Sequence, residues 1–290
     1  MQNQELIISN IKSFDIKHIF DCGQCFRRNE QQDWSYVGIF WNNILNVNQY
    51  NDCITFRWYM DWNINILVKD YFDLDRDYDS IKERLSKVDL YMKQSIEYWW
   101  GIRLLNQNLW ETIISFMISA NNNIPRIKTI IERLCTNYGN EINREWNIYY
   151  TFPTPEALKD VSVSDFRNLW LWFRDQRIFD MVRLVLDGKF CLSKLYKEET
   201  ETIRENLLQI NWIWPKVADC ILLFSDLKRM EVFPIDVRVR RVMNDLYIHN
   251  PDETKVDKNQ ILSIAHENFW DLAWIAQEYL FYRARTQNKS

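Results

Sequence analysis

The apolar period of this chain changes once, near residue 99, and that change calls for two kinds of layer. Before it, Ser35–Phe40, Ile44–Val47 and Cys53–Trp58 are short aromatic and β-branched runs separated by Asn- and Asp-rich turns. That alternation is the pattern of a small antiparallel sheet. Asp70 to Met92 reads as a polar, charged helical stretch leading out of it. Beyond residue 99 the spacing becomes helical. It predicts helices over Trp110–Ser119, Arg126–Tyr138, Ser162–Leu169, Phe179–Leu186, Lys194–Leu208, Lys216–Phe224, Asp236–Tyr247 and Lys258–Arg285. Thr154-Pro155-Glu156 adds a Thr cap, a Pro at the first helical position and an acid in the first turn. The expected fold class is therefore α+β, with a sheet domain over residues 1–98 and a helical domain over 99–290.

Composition narrows the function without naming it. At 47% hydrophobic and 26% charged, the chain is ordinary globular material. It has no apolar run of about eighteen residues, so no membrane span is expected. Met1 to Asn10 lacks both a basic start and an unbroken apolar core, which argues against a secretory signal and for a cytoplasmic protein. The six cysteines do not cluster like a disulfide framework, and the lone Cys22-x-x-Cys25 pair reads as structural. The three histidines have no ligand spacing, so no metal site is expected. A net charge of −4 argues weakly against a nucleic-acid partner. Charge is a poor witness, because Arg238, Arg240 and Arg241 gather near the chemistry while many acids lie between Asp70 and Asp89.

The chemistry sits in Asn211-Trp212-Ile213-Trp214-Pro215-Lys216-Val217-Ala218-Asp219-Cys220. Pro215 suits a first helical position, which puts Lys216 in the first turn, where the helix already carries partial positive charge. That field and partial desolvation are expected to lower the amine's pKa and favour its nucleophilic form. Twenty positions on, Phe233-Pro234-Ile235-Asp236 offers a carboxylate at the start of the next helix, as an N-cap. Spacing alone describes a surface lysine and an ordinary Asp cap just as well.

The window, with Phe233–Asp236, resembles the helix-hairpin-helix DNA glycosylases, with the hairpin near 203–224. Ile118-Ser119-Ala120-Asn121-Asn122-Asn123-Ile124-Pro125-Arg126 resembles the triple-Asn segment of the 8-oxoguanine glycosylases. Cys22-Gly23-Gln24-Cys25-Phe26-Arg27, Phe173-Arg174-Asp175-Gln176-Arg177 and Ala276-Gln277 to Phe281 are similar to further family segments, in the family's order. The resemblance runs nearly end to end and implies a TBP-like N-terminal sheet domain. It implies removal of 8-oxoguanine from duplex DNA, opposite cytosine, by a monomer that nicks the strand through a Lys Schiff base. Lys216 and Asp236 would be catalytic. Gly23, Cys220, Gln277 and Phe281 would hold the extruded base, as base flipping requires. Asn121, Arg126 and Arg174 would attend the opposite cytosine, with Phe173 as wedge. Trp212, Trp214 and Arg238 would lie at the DNA backbone. No cofactor is implied, since nucleophile and electrostatic partner both come from the protein. The Asn-, Ile-, Lys- and Tyr-rich composition suggests an AT-rich bacterial genome, hence a bacterial cytoplasm and nucleoid.

The departures from the family share one form. Trp212 and Trp214 stand for hairpin glycines, Trp170 and Trp172 for glycines before the wedge, and Trp274 for the glycine before the Gln. Trp34 and Trp62 lie in turn contexts that favour glycine. The chain carries 14 Trp against 5 Gly, and drift would have replaced glycine with many residue types. A codon that the host reads as glycine, UGA being the obvious candidate, explains this. A genuinely Trp-rich, inactivated homologue that only binds DNA is the alternative. An adenine-mismatch or oxidised-pyrimidine glycosylase is disfavoured, because the iron–sulfur loop common in those enzymes needs cysteines beyond Cys220 and none follows.

Overall fold

A computed structural model describes residues 4–41, 43–58, 63–144 and 147–287. Trp62 therefore lies outside the described residues. The alternating first part forms one antiparallel sheet of β1 (Gln4–Ser9), β2 (Arg28–Glu30), β3 (Tyr36–Phe40), β4 (Asn43–Tyr50) and β5 (Cys53–Trp58), in the order β1-β5-β4-β3-β2. Helix α1 (Ile16–Asp21) joins β1 to β2, with the Asp15 side chain accepting from the His18 N–H as its cap. One sheet face supplies Phe40, Leu45, Val47 and Phe56 to a core closed by Phe14 and Phe72.

The charged stretch after the sheet becomes α2 (Ile64–Tyr71), α3 (Tyr78–Ser86) and α4 (Leu90–Tyr98). Asn63, Asp77 and Asp89 each cap one of them through a side-chain oxygen. Tyr78, Leu85 and Met92 join a second, larger core shared with the helices that follow. Those are α5 (Leu109–Ser119), α6 (Ile124–Tyr138), α7 (Val163–Asn168), α8 (Asp175–Leu186), α9 (Leu192–Leu195), α10 (Thr200–Leu208), α11 (Pro215–Phe224), α12 (Val237–Met243), α13 (Lys258–Phe269) and α14 (Ala273–Gln287). The molecule is thus a five-stranded sheet followed by a helical domain. No helix among the described residues is long and apolar enough to cross a membrane.

Three expected helices are broken. Lys194–Leu208 splits into α9 and α10. Asp236–Tyr247 ends its α-helical part at Met243 and finishes as a π-turn, stopped by left-handed His249. Lys258–Arg285 breaks into α13 and α14 at Trp270, whose φ of 53° and ψ of −131° lie in the mirror-β region that glycine reaches most readily. A hairpin of β6 (Glu141–Arg144) and β7 (Asn147–Tyr150) has no counterpart in the sequence reading.

Trp270 is one of a set. Trp34, Trp41, Trp170, Trp172 and Trp212 also have φ between 45° and 77°. A non-glycine residue there costs roughly 1–2 kcal/mol.

Candidate active site

Helix α11 begins at Pro215, and Trp214 before it offers no side-chain cap. Its amides therefore open toward the loop at 209–214, which joins α10 to α11 as the hairpin. The hairpin is pinned from inside. Buried Asp219 on α11 pairs with Arg204 of α10 at 2.7 Å and lies 3.9 Å from Lys258 of α13. Burial pushes the Asp219 carboxyl up to about 6 against the pull of those cations.

Lys216 sits in the first turn of α11, one helical turn before Cys220, with which it shares a hydrogen bond. Its Nζ lies 5.4 Å from the centre of the Phe116 ring on α5, and that ring stacks on Phe224 at the far end of α11. The expectation of a lowered amine pKa is corrected here. Burial pulls Lys216 down, but Cys220, Asp236 and Glu278 together pull harder, holding the ammonium above its ordinary value. These thiol and carboxyl neighbours outweigh desolvation. Burial pushes the Cys220 thiol up to about 12.

Asp236 caps α12, its Oδ1 accepting from the Val239 N–H at 2.8 Å. That cap fixes a half-buried carboxylate next to α14, against which α12 packs. On α14, Gln277 is buried with Oε1 unpartnered, while Phe281, one turn on, is half-buried with the Arg238 guanidinium 5.8 Å from its ring centre. Glu278 is buried beside them, and burial lifts its carboxyl to about 8 against the opposing effect of Lys216. Sequence reasoning missed Glu278, although a charged residue inside the apolar run Ala273–Leu280 was the available signal.

Gly23 takes φ +84°, the left-handed conformation that suits glycine. A Cβ placed there would come 3.9 Å from Ile124 Cδ1, so this loop lies against the start of α6. Gln24 fixes it. The Gln24 amide donates to the carbonyls of Ile19 and Arg103 and accepts from the Leu105 N–H, while its own carbonyl accepts from Gln107. Cys22 and Cys25 are buried free thiols, in keeping with a structural reading.

The opposite side of the site is built on the turn 120–123. Asn121 is exposed with φ 51°, and Asn123 caps α6 by accepting from the Arg126 N–H at 3.0 Å. Arg174 is buried, donating to the carbonyls of Ala120 and Asn121 at 2.6 to 3.1 Å. Desolvation, with Arg126 and Arg177 nearby, brings its pKa down to about 10. Phe173 stands half-exposed, its ring centre 4.2 Å from Arg174 and 4.8 Å from Arg177. Trp212 and Trp214 are both exposed on the hairpin. Only Trp212 of the two takes a left-handed φ; Trp214 has φ −82°, extended backbone open to any residue. Trp274 is likewise no glycine-type turn, being buried in α14 and packed edge-on against Tyr78.

Residues 6–113 match the family model for the N-terminal domain of 8-oxoguanine DNA glycosylase, and residues 114–265 match the HhH-GPD superfamily of base excision DNA repair proteins. The chain belongs to that HhH-GPD superfamily, in its 8-oxoguanine glycosylase branch. MBOgg1, solved with a low-affinity DNA ligand, is 39% identical with a TM-score of 0.92, over 99% of this chain and 100% of that one. The Clostridium acetobutylicum 8-oxoguanine glycosylase/lyase, solved with duplex DNA carrying cytosine opposite 8-oxoG, is 35% identical with a TM-score of 0.91, over 99% of each chain. A Saccharomyces cerevisiae N-glycosylase/DNA lyase is 36% identical over 49% of this chain and 41% of its own length. A probable N-glycosylase/DNA lyase of Methanothermobacter thermautotrophicus is 29% identical over 64% of each. The chain thus matches less than two thirds of these curated relatives' lengths.

Proposed function

We propose that this chain removes 8-oxoguanine from duplex DNA and then cleaves the strand by β-elimination, with Lys216 as nucleophile. The observation that carries the reading is the setting of one amine. Lys216 is sunk at the start of α11 against Cys220 and Phe116, with the acidic groups of Asp236 and Glu278 acting on it. A structural lysine has no use for that setting. An extruded sugar does.

Lys216, once it has given up its extra proton, attacks C1′ of the flipped nucleotide. The N-glycosidic bond breaks, its electron pair leaves with the base, and the base takes up a proton. Opening of the sugar ring gives an imine between Nζ and C1′, and loss of a C2′ proton expels the 3′ phosphate. The Asp236 carboxylate stabilises the positive charge that develops on the sugar. The Gly23 carbonyl accepts the N7–H that distinguishes 8-oxoguanine from guanine. Gln277, whose Oε1 is unpartnered, takes the pairing edge, and Phe281 and Cys220 cover the faces. Asn121, Arg126 and Arg174 attend the cytosine left behind, the base paired with 8-oxoG in the Clostridium acetobutylicum complex. Phe173 fills the gap, and Arg238 contacts the backbone as the protein acts as a monomer.

Borohydride trapping on an 8-oxoguanine·cytosine duplex tests this, using protein with glycine restored at the left-handed tryptophans. A covalent protein–DNA adduct is expected, and it disappears in Lys216→Gln while duplex binding persists. An adduct of unchanged yield in Lys216→Gln overturns the mechanism.

A further inference from the structure

The tryptophans of this chain fall into two populations. Six of the twelve described, Trp34, Trp41, Trp170, Trp172, Trp212 and Trp270, have left-handed φ, and all six are exposed. The chain also holds 16 Phe and 14 Tyr, and none of those described has positive φ. Large aromatic rings as such are therefore not drawn to such backbone; among the described Phe, Tyr and Trp, only tryptophan takes it.

The places are those where chain geometry asks for glycine. Trp34 closes the loop between β2 and β3, its N–H donating to the Gln31 carbonyl at 3.1 Å. Trp41 begins the two-residue link between β3 and β4, fixed by the Phe40–Asn43 pair, where mirror-image turns are favoured. Trp170 follows the C-cap of α7 and donates to the Arg167 carbonyl, the left-handed position after a helix. Trp270 ends α13. Trp110, by contrast, is buried in α5 and its Nε1–H donates to the Pro153 carbonyl at 2.9 Å, which only an indole does.

Three of the six indoles lie on guanidinium groups. Trp170 covers Arg133 at 3.5 Å, Trp212 covers Arg177 at 4.0 Å, and Trp172 covers Arg126 at 4.2 Å. No carboxylate among the described residues pairs with any of these arginines. An indole over a guanidinium holds it in place by cation–π attraction, and its bulk limits how closely a phosphate can approach the in-plane N–H donors.

We propose that these six positions are glycine in the protein its own cell makes, and that Arg133, uncovered by glycine at 170, and Arg177, left beside Phe173 alone by glycine at 212, grip the phosphate backbone of duplex DNA. Arg126 is uncovered in the same way beside the opposite strand. The phosphate part rests on the duplex-binding reading above; the decoding part does not.

Peptide mass spectrometry of protein purified from its native host tests the decoding. Glycine is expected at all six positions with tryptophan kept at 110, and tryptophan at even one of the six overturns a shared codon. The grip is tested with undamaged duplex, comparing the encoded sequence with Trp170→Gly, Trp172→Gly, Trp212→Gly protein of verified fold. Restoration is expected to steepen the dependence of log affinity on log salt, by about 0.9 for each phosphate gained. Arg133→Ala and Arg177→Ala in the restored protein should each take about that much away. Slopes that stay equal overturn the grip, even where borohydride trapping succeeds. Steep slopes without trapping keep the grip and sink the lysine mechanism instead.

Discussion

The proposed reacting wall of the site and its proposed DNA-facing rim are built on opposite terms. The wall, made by α11, α12 and α14, relies on side chains, and each has a fixed neighbour: Lys216 on Cys220, Asp236 on the α12 amides, Phe281 under Arg238. The rim, from 168 to 173 and 209 to 214, relies on backbone, and there exposed indoles sit at left-handed residues. A wall of side chains survives a misread codon elsewhere. A rim that depends on having no side chain does not. On the proposed reading, the encoded sequence keeps the side chains of the wall and loses the bare backbone of the rim.

The sharpest way to break that contrast is to restore glycine at all six left-handed tryptophans and measure thermal unfolding. At about 1 kcal/mol each, and roughly 2–4 °C per kcal/mol in a chain of this order, the midpoint should rise by on the order of 10 °C. Trp214→Gly, where φ is ordinary, should give none of that gain. A rise no larger for the six than for Trp214→Gly would erase the distinction. Next in size is the wall itself: Asp236→Asn in restored protein should slow single-turnover base release by about 10²-fold, while leaving undamaged-duplex affinity within about twofold. Equal loss of both would mean that wall and rim are not separable.

The smallest effect concerns protons. Because Lys216 is held above its ordinary value, its neutral fraction, and with it the rate of adduct formation, should climb with pH across the alkaline range. Glu278→Gln removes one of the groups that raise it, so the same rate should be reached at a lower pH. The same variant reports on stability. Glu278 is raised from 4.5 to about 8 by burial, so the folded protein holds its proton more tightly than the unfolded chain. Stability from that proton is complete below pH 4.5 and is lost as pH rises through about 8. The melting temperature of Glu278→Gln should therefore gain on its parent between pH 5 and 9. A constant difference would place the carboxyl in water.

Much of the fold is legible because its signals are local. Alternation marks β3 to β5, Pro215 marks the start of α11, and Pro125 marks that of α6. The break at Trp270 leaves no local signal, since tryptophan is neither a helix breaker nor a left-handed residue by habit. The β6–β7 hairpin is four residues a side, too short for its period to stand out. Of the site, Gln277 and Phe281 fall one helical turn apart, and their pairing could be read with the family segment in mind. The rise in the Lys216 pKa could not, because it is the balance of burial against Cys220, Asp236 and Glu278, and packing sets that balance. Arg133 and Arg177 escaped notice for a similar reason: what matters about them is what lies on top.

Gln24 has a consequence for selectivity. One side chain bonds the loop carrying Gly23 to the carbonyl of Arg103 and the amide of Leu105, on the segment that leads into the helical domain. A lone carbonyl can tell a protonated ring nitrogen from a bare one only if it stays still by fractions of an ångström. With both ends of its amide committed, Gln24 makes the stillness of the proposed Gly23 sensor a property of the seam between sheet and helices. On the proposed function, loosening that seam far from any nucleotide would blur which purine is chosen before it slowed the cutting.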